Sequence, residues 1–237
     1  RRDQLRFFDY WLKGETNGVM DEAPVKLLIR KGGQDNYQWR SEQAWPLART
    51  RWTRFYLAPG RVSTRNREAA EGTLDAEAPR RTRPLTYSAT GMSKAGVASA
   101  SWTSTVLAGS LPRLGVSFQT RPLREDLEVT GPVVLTLWVA STTEDLDIYA
   151  TIRNIDRDGN DIWEVGQQQQ NVPVAKGWLR ASHRALDMEL SLPYRPYRRH
   201  DRRQWLRNNA RVRLDVEIWP TCMVFRKGHR IRLDIQP

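Results

Sequence analysis

Cysteine is nearly absent: Cys222 is the single one in 237 residues. That excludes a disulfide framework and any zinc site built from several thiolates. Histidine is almost as scarce, with three in the chain. His183, His200 and His229 are dispersed, and none stands at H-x-H or H-E-x-x-H spacing, so no metal is expected. No apolar run approaches the ~18 residues that a membrane-spanning helix needs. The opening stretch RRDQLRFFDYWLKG lacks the apolar centre and small-residue cleavage site of a secretory leader. With one unpaired thiol, a cytoplasmic location is expected. An initiator methionine is missing too, which points to a chain that begins partway through a longer protein. No glycine loop suited to phosphate is present, because Lys31-Gly32-Gly33 leads into no helix, and no cofactor is expected.

What is present is an ordinary globular composition, 39% hydrophobic and 27% charged. Net charge is +11, which raises the question of an acidic partner such as nucleic acid. The densest basic stretch, YRPYRRHDRRQWLR (residues 194–207), interleaves Arg with aromatic residues, as a single-strand-binding surface can. Pro193 and Pro196 flank its start and no nucleic-acid motif accompanies it. A solvated, Arg-rich loop is the preferred reading, and a nucleic-acid partner is not expected.

Periodicity divides the chain. In the first 14 residues Leu5, Phe8 and Leu12, with Phe7 and Trp11, mark an amphipathic helix that Gly14 ends. From VKLLIR (25–30) onward the apolar period is two. RWTRFYL (51–57) reads as a strand stopped by Pro59-Gly60. Residues 61–112 read as long surface loops, charged at first and then rich in Ser, Ala, Gly and Thr. VSFQT is a short strand, and GPVVLTLWVAS is apolar on both faces, as a doubly covered central strand would be. DLDIYATIRNI and IWEV flank the turn DRDG as a hairpin. RVRLDVEIWP and RIRLDI alternate strictly. These features predict an all-β, antiparallel sandwich with one N-terminal helix.

Chemistry is hard to find. GMSKAG, containing Ser93, is one residue too long for the G-x-S-x-G turn that exposes a hydrolase serine. The carboxylates of EDLD (144–147) and DRDGND (156–161) invite a calcium reading, but the second stretch lacks the glutamate that closes a calcium loop and lies in a hairpin turn. His229 precedes a strand within a turn. Cys222, in WPTCMVF, reads as a buried small residue. The residues form no self-contained active site.

Several stretches, taken in order, resemble a known family. LRFFDYWLKGETNGVMDEAPVKLLI, EVTGPVVLTLWVASTTEDLDIYATIRNIDRDG, GWLRASHRALD and VEIWPTCMVFRKGHRIRLDI are similar to the C-terminal region of X-Pro dipeptidyl-peptidase and cocaine-esterase-like (CocE/NonD) hydrolases. The resemblance implies a jelly-roll β-sandwich of galactose-binding-like fold over residues 25–237. Residues 1–24 would be the last helix and linker of an N-terminal α/β-hydrolase domain that carries the Ser-Asp-His triad. It implies that this chain starts downstream of the triad, holds no catalytic residue, is inactive alone, and acts on peptide or ester substrates only within a serine hydrolase. The expected role is to shape the substrate entrance and stabilise the catalytic domain or a homodimer. Phe7, Phe8 and Trp11 would dock on the hydrolase domain. Asp145 and Asp147 match the family's D-x-D, and Trp178, Arg180 and Arg184 its W-L-R-x-x-x-R; these are expected to hold the sandwich together or dock it. The alternative is a carbohydrate- or ligand-binding module. The family usually continues past LDIQP, so a domain cut short, exposing an edge strand, is expected.

Overall fold

The structure, a computed structural model, describes residues 1–33, 35–62, 70–87, 115–166 and 171–237. Helix α1 (Arg2–Lys13) ends as predicted, on Gly14 in the left-handed conformation (φ 72°) with its N–H bonded back to Tyr10 O. Lys13 in the last turn pairs with Asp9 one turn earlier at 2.6 Å.

The strands are β1 (Val25–Arg30), β2 (Tyr37–Glu42), β3 (Tyr56–Val62), β4 (Ala70–Asp75), β5 (Val116–Gln119), β6 (Leu127–Val139), β7 (Asp147–Ile155), β8 (Asp161–Ile162), β9 (Ala175–Arg180), β10 (Val212–Phe225) and β11 (Arg230–Gln236). They form one hydrogen-bonded path, β2-β1-β10-β9-β7-β11-β5-β4-β3, with β6 paired to β10 and β8 to β7. The path folds into an all-β sandwich. Val116, Phe118, Ile148, Ala150, Ile152, Leu179, Leu233 and Ile235 face Leu135, Leu214, Val216, Ile218, Met223 and Phe225 across one core. The layers join where Ile218 of β10 pairs with Gly177 of β9. Pairing is antiparallel except for β1 with β10 and β4 with β5.

Several sequence expectations need correction. β3 does not stop at Pro59-Gly60 but runs through it, and residues 51–55 are not strand. Pro59 is tolerated because β3 closes the path and needs hydrogen bonds on one side only. β4 lies inside the stretch read as loop. Residues 88–112, and Ser93 with them, lie outside the described residues. β6 is no central strand: it pairs only with β10 among the described residues, and Trp138 is exposed. The last strand, β11, lies between β7 and β5.

β10 also continues past Trp219-Pro220, where the register with β6 shifts between Ile218 and Thr221. The bulge reverses the strand's parity. Leu214, Val216 and Ile218 point inward before it, Thr221, Met223 and Phe225 after it. The intervening Cys222 and Val224 then serve a second small core with Leu27, Ile29 and Leu47. Among the described residues no helix is long and apolar enough to cross a membrane.

Candidate functional site

The residues singled out in the D-x-D and W-L-R-x-x-x-R segments come together at one end of the β7–β9 pair. In the register of these strands Asp147 faces Arg180 and Tyr149 faces Trp178. Arg180 clasps Asp147 with two parallel bonds, Nε to Oδ1 at 2.8 Å and Nη2 to Oδ2 at 2.7 Å. That embrace raises the guanidinium's pKa. Two residues along, Trp178 leans on Trp219 of the β10 bulge, ring centroids 5.6 Å apart, and both indoles are exposed beside Tyr149.

Asp145 stands just before β7 and points back. Its Oδ1 accepts the amide N–H of Leu146 (3.0 Å) and of Ser182 (2.8 Å). Burial pushes the Asp145 carboxyl up, yet hydrogen bonds from Ser182 and the Leu146 amide, with the charge of Arg180, hold it below its ordinary value. Arg184 closes the turn after β9, its Nη1 donating to Ala181 O (3.0 Å) and to Gln204 O. Asp145 and Arg184 are therefore fastenings of the turn, whereas Asp147, Trp178 and Arg180 present themselves to solvent.

A shallow cleft of about 260 Å³ opens here, lined by Asp145, Leu146, Asp147, Arg180, Ser182, Arg203 and Trp205. The last two were missed in the sequence. They belong to the Arg-rich stretch, which returns to this end through Gln204 N–H to Ser182 O (2.7 Å) and Leu206 N–H to Glu144 O (2.7 Å). Arg203 lies 5.6 Å over the Trp205 ring. Arg198 of the same stretch donates to Arg184 O at 3.0 Å and to Asp215 O. Arg198, Arg203 and Trp205 of this stretch thus make local contacts within the fold.

The residues that line the cleft include no histidine or cysteine. His183 bonds His200, and His229 bonds Asn154, each through Nδ1. Burial pushes the Cys222 thiol up, away from the reactive thiolate. Among the described residues no group of three or more His, Cys, Asp or Glu is arranged to hold a metal ion.

α1 forms a second surface. Arg6 ties it to the turn and linker beyond Gly14, bonding Glu22 at 2.7 Å and Asn17 O at 3.1 Å. No residue of the helix is buried. Phe7, Phe8, Trp11 and Leu12 all face solvent, Trp11 at 57% and Leu12 at 78% exposure, with Phe7 touching both Phe8 and Trp11.

Comparison with known proteins gives one consistent answer. Residues 17–236 match the family described as X-Pro dipeptidyl-peptidase C-terminal non-catalytic domain. A provisionally assigned serine esterase of Mycobacterium bovis is 27% identical over 237 residues, covering 98% of this chain and 35% of its own length. Cocaine esterase of a Rhodococcus species is 28% identical over 180 residues, 66% of this chain and 28% of that one. The crystal structure of a CocE/NonD family hydrolase from Staphylococcus aureus superposes with a TM-score of 0.73 at 25% identity, covering 99% of this chain and 37% of the other. The chain therefore spans about a third of the length of these relatives.

Proposed function

Because this chain belongs to the X-Pro dipeptidyl-peptidase C-terminal non-catalytic domain family, we propose that it is the accessory end of a serine hydrolase acting on esters, amides or X-Pro peptides. Its partner is an N-terminal α/β-hydrolase domain, and α1 is the last element of that domain rather than the first of the sandwich. The observation that carries this reading is the bare aromatic face of α1. Phe7, Phe8, Trp11 and Leu12 form a contiguous apolar patch on a helix with no core of its own. Such a patch marks a contact surface, and a helix of 12 residues gains its stability from packing. The family match begins at residue 17, past this helix. Residues 25–237 then act as the sandwich that borders the substrate entrance and braces the catalytic domain or a dimer of it, with exposed Trp178 and Arg180 and half-buried Asp147 as the residues for docking.

The test is to express the preceding catalytic region and this chain as two polypeptides in one cell. Co-purification is expected, together with ester or X-Pro peptide hydrolysis that the catalytic region alone loses on mild heating. Phe8→Asp with Trp11→Asp should abolish both while the sandwich keeps its strand signal. An active, equally heat-stable catalytic region that ignores this chain would refute the reading.

A second reading is favoured by the exposed Trp178–Trp219 pair beside the Arg180–Asp147 clasp. Two exposed indoles inclined at 49° to each other, next to paired hydrogen-bonding groups, suit a sugar ring, so the sandwich would bind carbohydrate. Sugar affinity of the protein that disappears on Trp178→Ala is the expected result; the same weak response in both proteins would remove it.

A further inference from the structure

We propose that His183 and His200 form a bidentate site for a divalent transition-metal ion of the copper, nickel or zinc kind. The two are 17 residues apart in the chain, yet their Nδ1 atoms stand 3.1 Å from one another, with ring centroids 5.2 Å apart and planes inclined at 44°. In the empty pair one neutral imidazole donates its Nδ1 proton to the lone pair of the other. The same convergence suits a shared ion. Imidazole nitrogens bind zinc at ~2.0–2.1 Å, so two of them at a right-angled to tetrahedral bite lie ~2.8–3.4 Å apart. Loading requires the donor ring to shift its proton from Nδ1 to Nε2, through solvent, and both rings to turn so that their Nδ1 lone pairs meet on the ion.

The convergence is built by the fold. His183 ends the short turn Ala181–His183 that follows β9. The strand-like return on either side of His200 is stitched to that turn by Gln204 N–H to Ser182 O at 2.7 Å and Arg199 N–H to Ala185 O at 3.1 Å, and by Arg198 Nη1 to Arg184 O at 3.0 Å. His200 itself adopts a left-handed backbone, φ 53°, a conformation uncommon for residues other than glycine. It is kept in place by the bonds around it.

The surroundings select the kind of ion. The nearest carboxylate in sequence, Asp201, is occupied by Arg199 at 2.5 Å, and Arg202 and Arg203 follow it. Magnesium and calcium, which take oxygen ligands, find none assembled. Ions that prefer imidazole do find two donors, with copper first in the usual order of affinity. No third His, Cys, Asp or Glu joins the pair among the described residues, so the remaining positions are open to water or to an external donor. Here the two-residue pairing supplies the signal that spacing along the chain could not.

The test uses the protein purified without a polyhistidine tag and stripped with a chelator. It is titrated by calorimetry with Zn²⁺, Ni²⁺ and Cu²⁺, with Mg²⁺ as the control, alongside His183→Gln, His200→Gln and the double variant. The wild type should bind one equivalent per chain that each single variant weakens at least tenfold and the double variant lacks, with no response to Mg²⁺. Long-range ¹H–¹⁵N spectra of the wild type should show Zn²⁺ moving the Nδ1 signals of His183 and His200 together, a readout that needs no substitution. Identical isotherms for wild type and double variant, or a shift at one ring alone, would overturn the proposal.

Discussion

Arg153 and Asp234 form an ion pair out of reach of solvent, Nη1 to Oδ2 at 2.9 Å, on the face of β7 and β11 opposite the main core. Asp234, only 7% exposed, also accepts from Arg232 Nε at 2.7 Å and Ser117 Oγ at 2.6 Å. Arg153 reaches on to Asp161 and lies 5.6 Å over the Trp163 ring. Burial pushes the Asp234 carboxyl up, but Arg232, Arg153 and Ser117 more than offset this and hold it below its ordinary value. The native state therefore binds this proton less readily than the unfolded chain. The stabilisation is complete above the unfolded carboxyl pKa of ~3.9 and is lost as pH falls through the lower folded value.

Asp234→Asn should cost ~3 kcal/mol near neutral pH, because two buried guanidinium groups lose their shared anion. Urea unfolding at pH 7 measures it. Asp201→Asn, at the exposed pair with Arg199, is the control and should stay within ~0.5 kcal/mol. Equal, small losses at both positions would show that the buried network contributes no more than a surface pair.

Glu164 titrates in the opposite sense. Its carboxylate is 2% exposed and Oε1 has no hydrogen-bond partner among the described residues. Burial pushes its pKa up, against the nearby charge of Arg30 and a backbone hydrogen bond from Gly33. Here the native state holds the proton more tightly, so its contribution is present below the unfolded carboxyl pKa of ~4.3 and is lost as pH rises through the folded value. Glu164→Gln should be at least as stable as the wild type at pH 7.5, its advantage shrinking toward pH 4. A variant clearly less stable at pH 7.5 would mean that the charge is needed there.

Gly177 sits where the two layers meet. A Cβ there would run into Glu217 O and the Ile218 backbone across the β9–β10 junction. Backbone cannot move aside as a side chain can, so Gly177→Ala should destabilise by ~2–3 kcal/mol. Thermal unfolding would show it. An unchanged midpoint would mean that the junction opens freely.

These positions also show what the sequence discloses. Alternation located β1, β7 and β11, and Gly14 with Lys13 fixed the end of α1, because each rests on neighbours in the chain. β4 was hidden by its charged surroundings, and β3 by Pro59, since an edge strand needs neither a full apolar face nor every N–H. The parity switch at Trp219-Pro220 was invisible because a bulge is specified by the partner strand. Strict alternation in RIRLDI was read correctly for Ile231, Leu233 and Ile235, but Arg232 and Asp234 are buried as well, through an ion network whose members come from β5, β7 and β11. At the candidate site, Asp147, Trp178 and Arg180 were reached through resemblance alone. Arg203, Trp205 and the His183–His200 pair depend on a chain return that no local pattern encodes.

His229 closes the turn Arg226–His229, its N–H bonded to Arg226 O at 2.9 Å next to Gly228 at φ 84°. This is the turn expected before the last strand. The ring serves the fold: Nδ1 lies 3.0 Å from Oδ1 of Asn154, a fully buried side chain on β7. Amide oxygen only accepts, so the proton sits on Nδ1. Burial, opposed by Asp156, lowers the imidazole's pKa. A depressed value means that the neutral ring stabilises the native state above the unfolded pKa of ~6.5, an advantage lost as pH falls through the folded value. His229→Ala should cost ~1 kcal/mol at pH 8, where Asn154 loses its donor, and less at pH 5. Urea unfolding at the two pH values measures the difference. The hydrolysis proposed for the full-length protein should survive the substitution, because the ring is spent on Asn154. A folded His229→Ala protein that loses turnover by orders of magnitude would instead place this imidazole in the reaction and overturn its structural role.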